Sequence, residues 1–132
     1  MSYEAWGEPD DSPFDAAIEA GWLDPKDMSK ALLDVMNERD RQWNEENFDP
    51  AHDDRYLNFE LGKAAAAYLG EAIIKDATRA DHSKRDFPPG VWPWHRNWWK
   101  PKDRRRDLVR AGALIIAEIE RLDRAAAKAV TP

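Results

Sequence analysis

The sequence has 132 residues, no cysteine and a formal net charge of −6, which excludes disulfides, thiolate metal sites and a cysteine nucleophile. No apolar run approaches the ~20 residues of a membrane span, and the opening residues carry no signal segment, so we expect a cytoplasmic chain with no membrane partner. The length predicts a single helical domain over residues 1–132.

Acidic and basic side chains are separated along the chain. Residues 1–60 hold 17 acids and 5 bases, whereas residues 84–110 hold 9 bases and 3 acids. A basic segment in an acidic protein indicates either an anionic ligand or an internal partner for the acidic half. The sequence leaves both open.

Four helices are predicted in chain order from apolar residues at the 3.6-residue period and from capping signals. Residues 1–11 are polar and should form a loose arm, and residues 47–54 should form a polar loop. Residues 80–101 contain four prolines and a glycine, which predicts an irregular segment. The predicted helices cover residues 12–21, 24–43, 58–78 and 103–127.

These elements predict an all-α fold, a small bundle of three to four helices with a long Trp/Pro-rich loop. The apolar residues of the fourth helix, from Leu108 to Ala126, cover more than one helix face. Such a helix is either central to the core or also lines a subunit interface. We therefore expect a homodimer or a higher homo-oligomer.

The segment from Trp92 to Pro101, which we call the Trp loop, holds four of the seven tryptophans. Indole faces can stack on a planar ring, and interleaved cations favour phosphate. The loop therefore predicts a site for an aromatic, anionic ligand, meaning a nucleotide or a nucleotide-derived molecule. Packing of the tryptophans as a plug at one end of the bundle is an open alternative. The candidate residues of the loop are Trp92, Trp94, His95, Arg96, Trp98, Trp99 and Lys100.

A run of arginines follows at the predicted start of the fourth helix, where free backbone N–H groups also favour anions. Arg104 and Arg105 are close enough in sequence to the Trp loop to meet the phosphates of the same ligand. A solvated helix start is the competing interpretation. Arg41 and Trp43 of the second helix complete the predicted ligand-binding set.

Carboxylates are the candidate magnesium ligands, because metal-dependent phosphoryl chemistry needs several acids around one or two ions. The candidates are Glu38, Glu60 and Asp107. Lys63 and Arg110 follow the last two at a spacing of three residues, where second carboxylates would be needed. The pattern does not support a strong Mg²⁺ cluster, and no bound cofactor is expected.

Three segments carry a family resemblance, namely the residues Glu38-Arg39-Asp40-Arg41-Gln42-Trp43, the run from Phe59 to Tyr68, and the stretch from Trp92 to Arg124. Together they resemble small phage and prophage accessory proteins. That group in turn resembles the MazG-like, all-α nucleoside triphosphate pyrophosphatases. The resemblance implies a helical, oligomeric protein and an enzyme that holds Mg²⁺ through Glu-x-x-Glu and Glu-x-x-Asp pairs, of which this chain keeps one residue of each.

The leading functional hypothesis is a phage-type protein that binds a nucleotide-derived anion without turnover, as a sponge for a host immune signal. It would act in the cytoplasm of an infected or lysogenic bacterial host. The first alternative is an Mg²⁺-dependent nucleoside triphosphate pyrophosphohydrolase that uses Glu38, Glu60 and Asp107. The second is a protein-binding or single-strand nucleic-acid-binding module, although nucleic acid is the less favoured partner.

Overall fold

The computed structural model describes residues 13–46, 49–85 and 87–130, and all regular secondary structure in these ranges is helical. The all-α fold class is therefore confirmed, with six α-helices in the described ranges. The predicted arm, residues 1–11, lies outside them. The α-helices are α1 (Pro13–Glu19), α2 (Lys30–Asn44), α3 (Pro50–Asp53), α4 (Glu60–Ala72), α5 (Asp76–Arg85) and α6 (Arg104–Val130).

The start of α2 differs from the prediction because two capping residues lie close together. Asp24 caps only a 3₁₀ turn, in which its side chain accepts a hydrogen bond from the backbone of Lys26 at 3.0 Å. The Ser29 hydroxyl then accepts from the N–H of Leu32 at 3.1 Å, and α2 begins at the next residue. The predicted start at residue 24 is therefore wrong by about one and a half helical turns, because Ser29 caps a new helix.

The predicted third helix and the predicted irregular segment are both wrong in their bounds. The helix stops at Ala72 instead of continuing to residue 78, and a separate helix, α5, covers Asp76–Arg85. Outside a helix, proline disfavours the helical conformation mainly in the residue directly before it, so Pro88 does not prevent helix formation up to residue 85. The irregular segment begins at Phe87 and is broken by a 3₁₀ turn at Arg96–Trp98. Part of the predicted loop at 47–54 is also helical, as α3.

The core forms where α4 packs on α6. Gly62 at the start of α4 lies beside Glu118, and Ala72 at its end lies beside Arg104, so the two helices run antiparallel. Alanines at the contact let the two helix axes approach closely. The buried cluster consists of Leu61, Ala64, Ala65, Tyr68, Ala111, Leu114 and Ala117.

A buried ion-pair network ties α2 and α3 to α6. Arg39 is fully buried and its guanidinium contacts Asp53 at 3.3 Å and Glu120 at 3.0 Å. Its guanidinium also lies over the Trp43 ring, 5.0 Å from the centroid. Trp43 is 4% exposed, so this tryptophan belongs to the packing of the bundle.

One face of α6 stays exposed while the opposite face packs on α2 and α4. Large apolar side chains recur on this face at spacings of seven, four and three residues, which places them in one stripe along the helix. The residues of this stripe are Leu108, Ile115, Ile119 and Leu122. Within the part of the chain that the structure describes, no helix combines the length and the apolar character needed to cross a membrane.

Candidate functional site

A cavity of about 310 Å³ lies between α2, α4, α6 and the Trp loop, and we call it the Trp cavity. Four elements that are distant in sequence supply its wall. The lining residues are Glu38, Arg41, Gln42, Glu46, Tyr68, Trp92, Trp94, Trp98, Lys100, Arg110 and Leu114.

The tryptophans of the Trp loop have two different roles. Trp92 and Trp99 pack on Tyr68 of the core, with ring centroids 5.5 and 4.7 Å away. Trp94 contacts Trp92 at 5.3 Å and also lines the cavity. Trp98 is 59% exposed and lines the same cavity. The loop is thus both a plug on the core, as one interpretation of the sequence expected, and an aromatic wall.

Hydrogen bonds hold the Trp loop in place from within and from both neighbouring helices. The Trp92 indole N–H donates to the carbonyl of His95 at 3.1 Å, and the His95 ring accepts from the N–H of Asn97 at 3.1 Å. The N–H of Lys100 donates to the Tyr68 hydroxyl at 3.4 Å. Arg110 donates to the Lys100 carbonyl from α6. His95, predicted as a ligand contact, therefore organises the loop and does not line the cavity.

Three cations face the cavity. Lys100 is exposed, and its ammonium has no carboxylate within 4 Å among the described residues. The Arg110 guanidinium lies over the Tyr68 ring at 5.6 Å, and its Nε is buried without a hydrogen-bond partner in the described ranges. Arg41 is held by Glu38 at 2.8 Å and by Glu46 at 3.0 Å. Two of the three cations therefore keep unused donors.

Glu38 is a buried carboxylate that lines the cavity. It accepts hydrogen bonds from Arg41 at 2.8 and 2.9 Å and from Arg106 at 2.6 Å. Burial acts to raise the pKa of Glu38, but the hydrogen bonds and charges of Arg41 and Arg106 outweigh it and hold the pKa below its ordinary value. The group is therefore ionised at neutral pH.

Gln42 lies beside Glu38, one helical turn further along α2, and is 2% exposed. Its amide nitrogen donates to Glu38 Oε2 at 3.1 Å. Its amide oxygen is buried and has no hydrogen-bond partner among the described residues. An unsatisfied buried polar atom is costly and calls for an explanation.

The arginine run predicted to bind phosphate is engaged by the protein itself. Arg104 donates to the carbonyls of Ala72 and Ile74, and so supplies hydrogen bonds to carbonyl groups at the C-terminal end of α4. Arg105 pairs with Asp34 at 2.8 Å. The first turn of α6 is likewise occupied, because the Asp103 carboxylate accepts from the N–H of residue 106 at 2.8 Å. Neither Arg104 nor Arg105 lines the Trp cavity.

Of the predicted ligand-binding residues, the structure brings five into the cavity wall and leaves six outside it. Those in the wall are Arg41, Trp92, Trp94, Trp98 and Lys100. Those outside are Trp43, His95, Arg96, Trp99, Arg104 and Arg105. Sequence reasoning missed Gln42, Tyr68 and Arg110, which also line this cavity. The polar pair Glu38 and Gln42, spaced four residues apart on an otherwise buried face of α2, was the signal that could have found one of them.

The carboxylates considered for Mg²⁺ do not fit a shared metal ion as they are arranged. Glu38 is saturated by arginine donors, and Asp107 accepts from Arg79 at 3.1 Å and from the N–H of Lys102 at 2.8 Å. Glu60 accepts from the N–H of Asn58 and does not line the cavity. Within residues 13–46, 49–85 and 87–130, no three acidic or histidine side chains are grouped to hold a metal.

Compared with protein-family models, curated proteins and solved structures, the chain gives no match. The chemistry of the Trp cavity therefore has to be argued from its own residues.

Proposed function

We propose that this chain binds a nucleotide-derived anionic small molecule in the Trp cavity and does not turn it over. The observation that carries the proposal is the wall of the cavity, in which four aromatic rings and three cations line about 310 Å³. Aromatic faces stack on planar rings, while cations with free donors bind phosphate. A nucleotide presents both chemical groups in one molecule.

Trp98 and Lys100 are the residues that a ligand would contact without disturbing the fold. Trp98 is largely exposed, so it can stack on a base without giving up core packing. Lys100 lies in the same wall, two residues away, and no carboxylate of the described ranges pairs with its ammonium. Trp92 and Trp94 pack against the buried core cluster that contains Tyr68, which gives the ligand a preorganised surface and reduces the entropy lost on binding.

We propose that the ligand is not turned over because the carboxylates in the cavity wall are already paired with arginines. A metal-dependent hydrolase needs carboxylate oxygens that are free to bind an ion, and those of Glu38 are occupied by two arginines. The cation of Arg110 adds positive charge at the position of a missing second carboxylate near Asp107. This arrangement supports retention of an anion, and the two described carboxylates in the cavity wall, Glu38 and Glu46, are both paired with Arg41.

Sequestration of a host immune signal is the biological role that we propose for this binding, in the cytoplasm of a bacterial host. It rests on the resemblance to phage accessory proteins. A protein with this role would bind its nucleotide tightly and release it unchanged.

The competing candidate is an Mg²⁺-dependent nucleoside triphosphate pyrophosphohydrolase, because Glu38 lies in the wall of the same cavity. The two candidates separate in one assay of the purified protein with the four common nucleoside triphosphates, with and without Mg²⁺. Release of pyrophosphate that disappears in Glu38→Gln would establish the hydrolase and overturn the binder.

The binding test uses isothermal titration with the same nucleotides, together with mass spectrometry of any small molecule released when the protein is denatured. Trp98→Ala and Lys100→Ala should each weaken binding about tenfold, since stacking and a charge-assisted contact are each worth about 1–3 kcal/mol. Arg96→Ala is the matched control, because Arg96 lies in the same loop but outside the cavity wall. If no nucleotide binds at about 1 mM and none co-purifies, the proposal fails.

A further inference from the structure

Helix α5 contributes no buried side chain to the protein. Nine of its ten residues are exposed, and the exception is Arg79, whose side chain is 14% exposed. Two further polar contacts join α5 to its neighbours, from Asp76 to Arg104 at 2.6 Å and from His82 to Glu71 at 2.9 Å. Burial of apolar surface therefore does not explain why this helix packs where it does.

The guanidinium of Arg79 joins three separate segments of the chain. Its Nη1 donates to the carbonyl of Glu71 at the end of α4, at 2.5 Å. Its Nη2 donates to the carbonyl of Lys102 at 2.7 Å and to the carboxylate of Asp107 on α6 at 3.1 Å. A guanidinium is a planar fork with fixed donor directions, so this one side chain sets the three segments relative to one another.

Lys102 follows the Trp loop directly, and both polar groups of its backbone are bound. Its N–H donates to Asp107 at 2.8 Å, and its carbonyl accepts from Arg79. Only Pro101, whose ring fixes φ, separates Lys102 from Lys100 in the wall of the Trp cavity. The backbone N–H and carbonyl of Lys100 are bound as well. The end of the loop that carries the Lys100 side chain is thus fixed on both sides of Pro101.

We infer that Arg79 is a positioning residue for ligand binding, which acts through Lys102 to hold Lys100 where its ammonium can contact the phosphate of a bound molecule. The inference rests on the proposed nucleotide binding. Arg79 does not line the Trp cavity, so it does not act by touching the ligand. A loop that is already ordered loses less entropy when the ligand binds. This role also accounts for a helix that adds nothing apolar to the core.

The test is a double-mutant cycle between Arg79→Met and Lys100→Ala on the full chain, with affinities measured by isothermal titration. The probe is whichever of the four common nucleoside triphosphates binds the wild type most tightly. Arg79→Met alone should weaken binding about threefold to tenfold, through the entropy of ordering the loop. In the Lys100→Ala background the same substitution should change the affinity by less than about twofold, because its effect passes through Lys100.

Arg85→Met is the matched control, since Arg85 lies on the same helix and pairs with Asp81 within it. It should bind the nucleotide as the wild type does. A second measurement needs no ligand: hydrogen exchange of the Lys102 amide should be at least about tenfold faster in Arg79→Met than in wild type or in Arg85→Met. Thermal melting checks that the variants fold. If Arg79→Met does not fold, Arg79→Lys replaces it, because lysine keeps the charge beside Asp107 but cannot span three acceptors.

Each contrary result has a distinct meaning. Wild-type affinity and wild-type amide exchange in the folded Arg79 variant would overturn the inference and leave nucleotide binding intact. An equal loss of affinity with and without the Lys100 side chain would show that Arg79 acts on general stability, which also overturns it. Failure of every nucleotide to bind wild type would overturn the proposed function and this inference together.

Discussion

Asp53 is a carboxylate enclosed by protein, with Arg39 at 3.3 Å and the ring of His52 at 3.2 Å. Burial raises the pKa of Asp53 to about 6, against the opposing charge of Arg39. Because the pKa is higher in the folded state than in the unfolded chain, the folded protein binds more protons between about pH 4 and 6. The stability contributed by protonated Asp53 is present below about pH 4 and is lost as the pH rises through about 6.

We predict that the difference in unfolding free energy between wild type and Asp53→Asn shifts against wild type by about 2–3 kcal/mol from pH 4 to pH 7. Urea unfolding of both proteins at several pH values measures it. Comparing the two proteins at each pH serves as the control, because both contain all the other titrating groups. A difference that is constant, or that moves in favour of wild type with rising pH, would show that the pKa of Asp53 is not raised.

Sequence reasoning identified the cavity-lining side chains that lie together in one loop, and it missed those that helix packing places in the same cavity wall. Trp92, Trp94, Trp98 and Lys100 are close in the chain, so their composition alone marks them. Gln42 faces the same cavity only because α2 packs on α6 with a particular rotation. The register of two helices depends on their complete interface, which a residue pattern does not specify.

Glycines inside the helices allow a test of helix stability and of helix packing. Gly70 lies inside α4, and a Cβ added there would contact nothing within 4 Å. Gly70→Ala should therefore raise the unfolding free energy by about 0.5–1 kcal/mol, through helix propensity and a less flexible unfolded chain. Chemical denaturation measures the gain.

Gly112 is the comparison position, since a Cβ there would lie 3.3 Å from the side chain of Val35 on α2. Val35 is β-branched and cannot turn aside easily. Gly112→Ala should gain clearly less than Gly70→Ala. An equal gain at both positions would mean that α2 and α6 adjust their spacing freely.

Element boundaries were predicted well where one signal stood alone and poorly where two competed. Gly21, with a positive φ of 78°, ends α1 as the sequence predicts. The start of α2 was misplaced because Asp24 and Ser29 both cap, and only tertiary packing selects the helix that extends. The break between α4 and α5 has no proline or glycine to mark it. Arg104 stabilises that break from α6, a contact that no local pattern reveals.

The exposed stripe on α6 offers a surface for association with a second copy of the chain. Its four apolar side chains, Leu108 to Leu122, form a narrow seam of the kind by which two helices associate. We predict a homodimer of about 30 kDa, twice the 15.2 kDa of one chain, with the two α6 stripes in contact. Light scattering at micromolar concentration measures the mass.

Ile119→Glu should convert this dimer to a monomer, because two like-charged carboxylates, one from each copy, would be buried at the interface. The variant should stay folded, since Ile119 is already 52% exposed. Ile73→Glu is the matched control, since Ile73 is 70% exposed and lies at the end of α4. A wild-type mass near that of one chain would contradict the prediction.

The position of α6 in the chain has a consequence for synthesis. The helices that pack on α6 all precede it, so a ribosome releases α2, α3 and α4 before their common partner exists. Until α6 emerges, Arg39 lacks its contact with Glu120, and the alanines of α4 lack the α6 residues on which they pack. At about 5–20 residues per second, the interval from residue 60 to residue 124 lasts roughly 3–13 s. We therefore expect the core and the Trp cavity to form only after most of α6 has been synthesised.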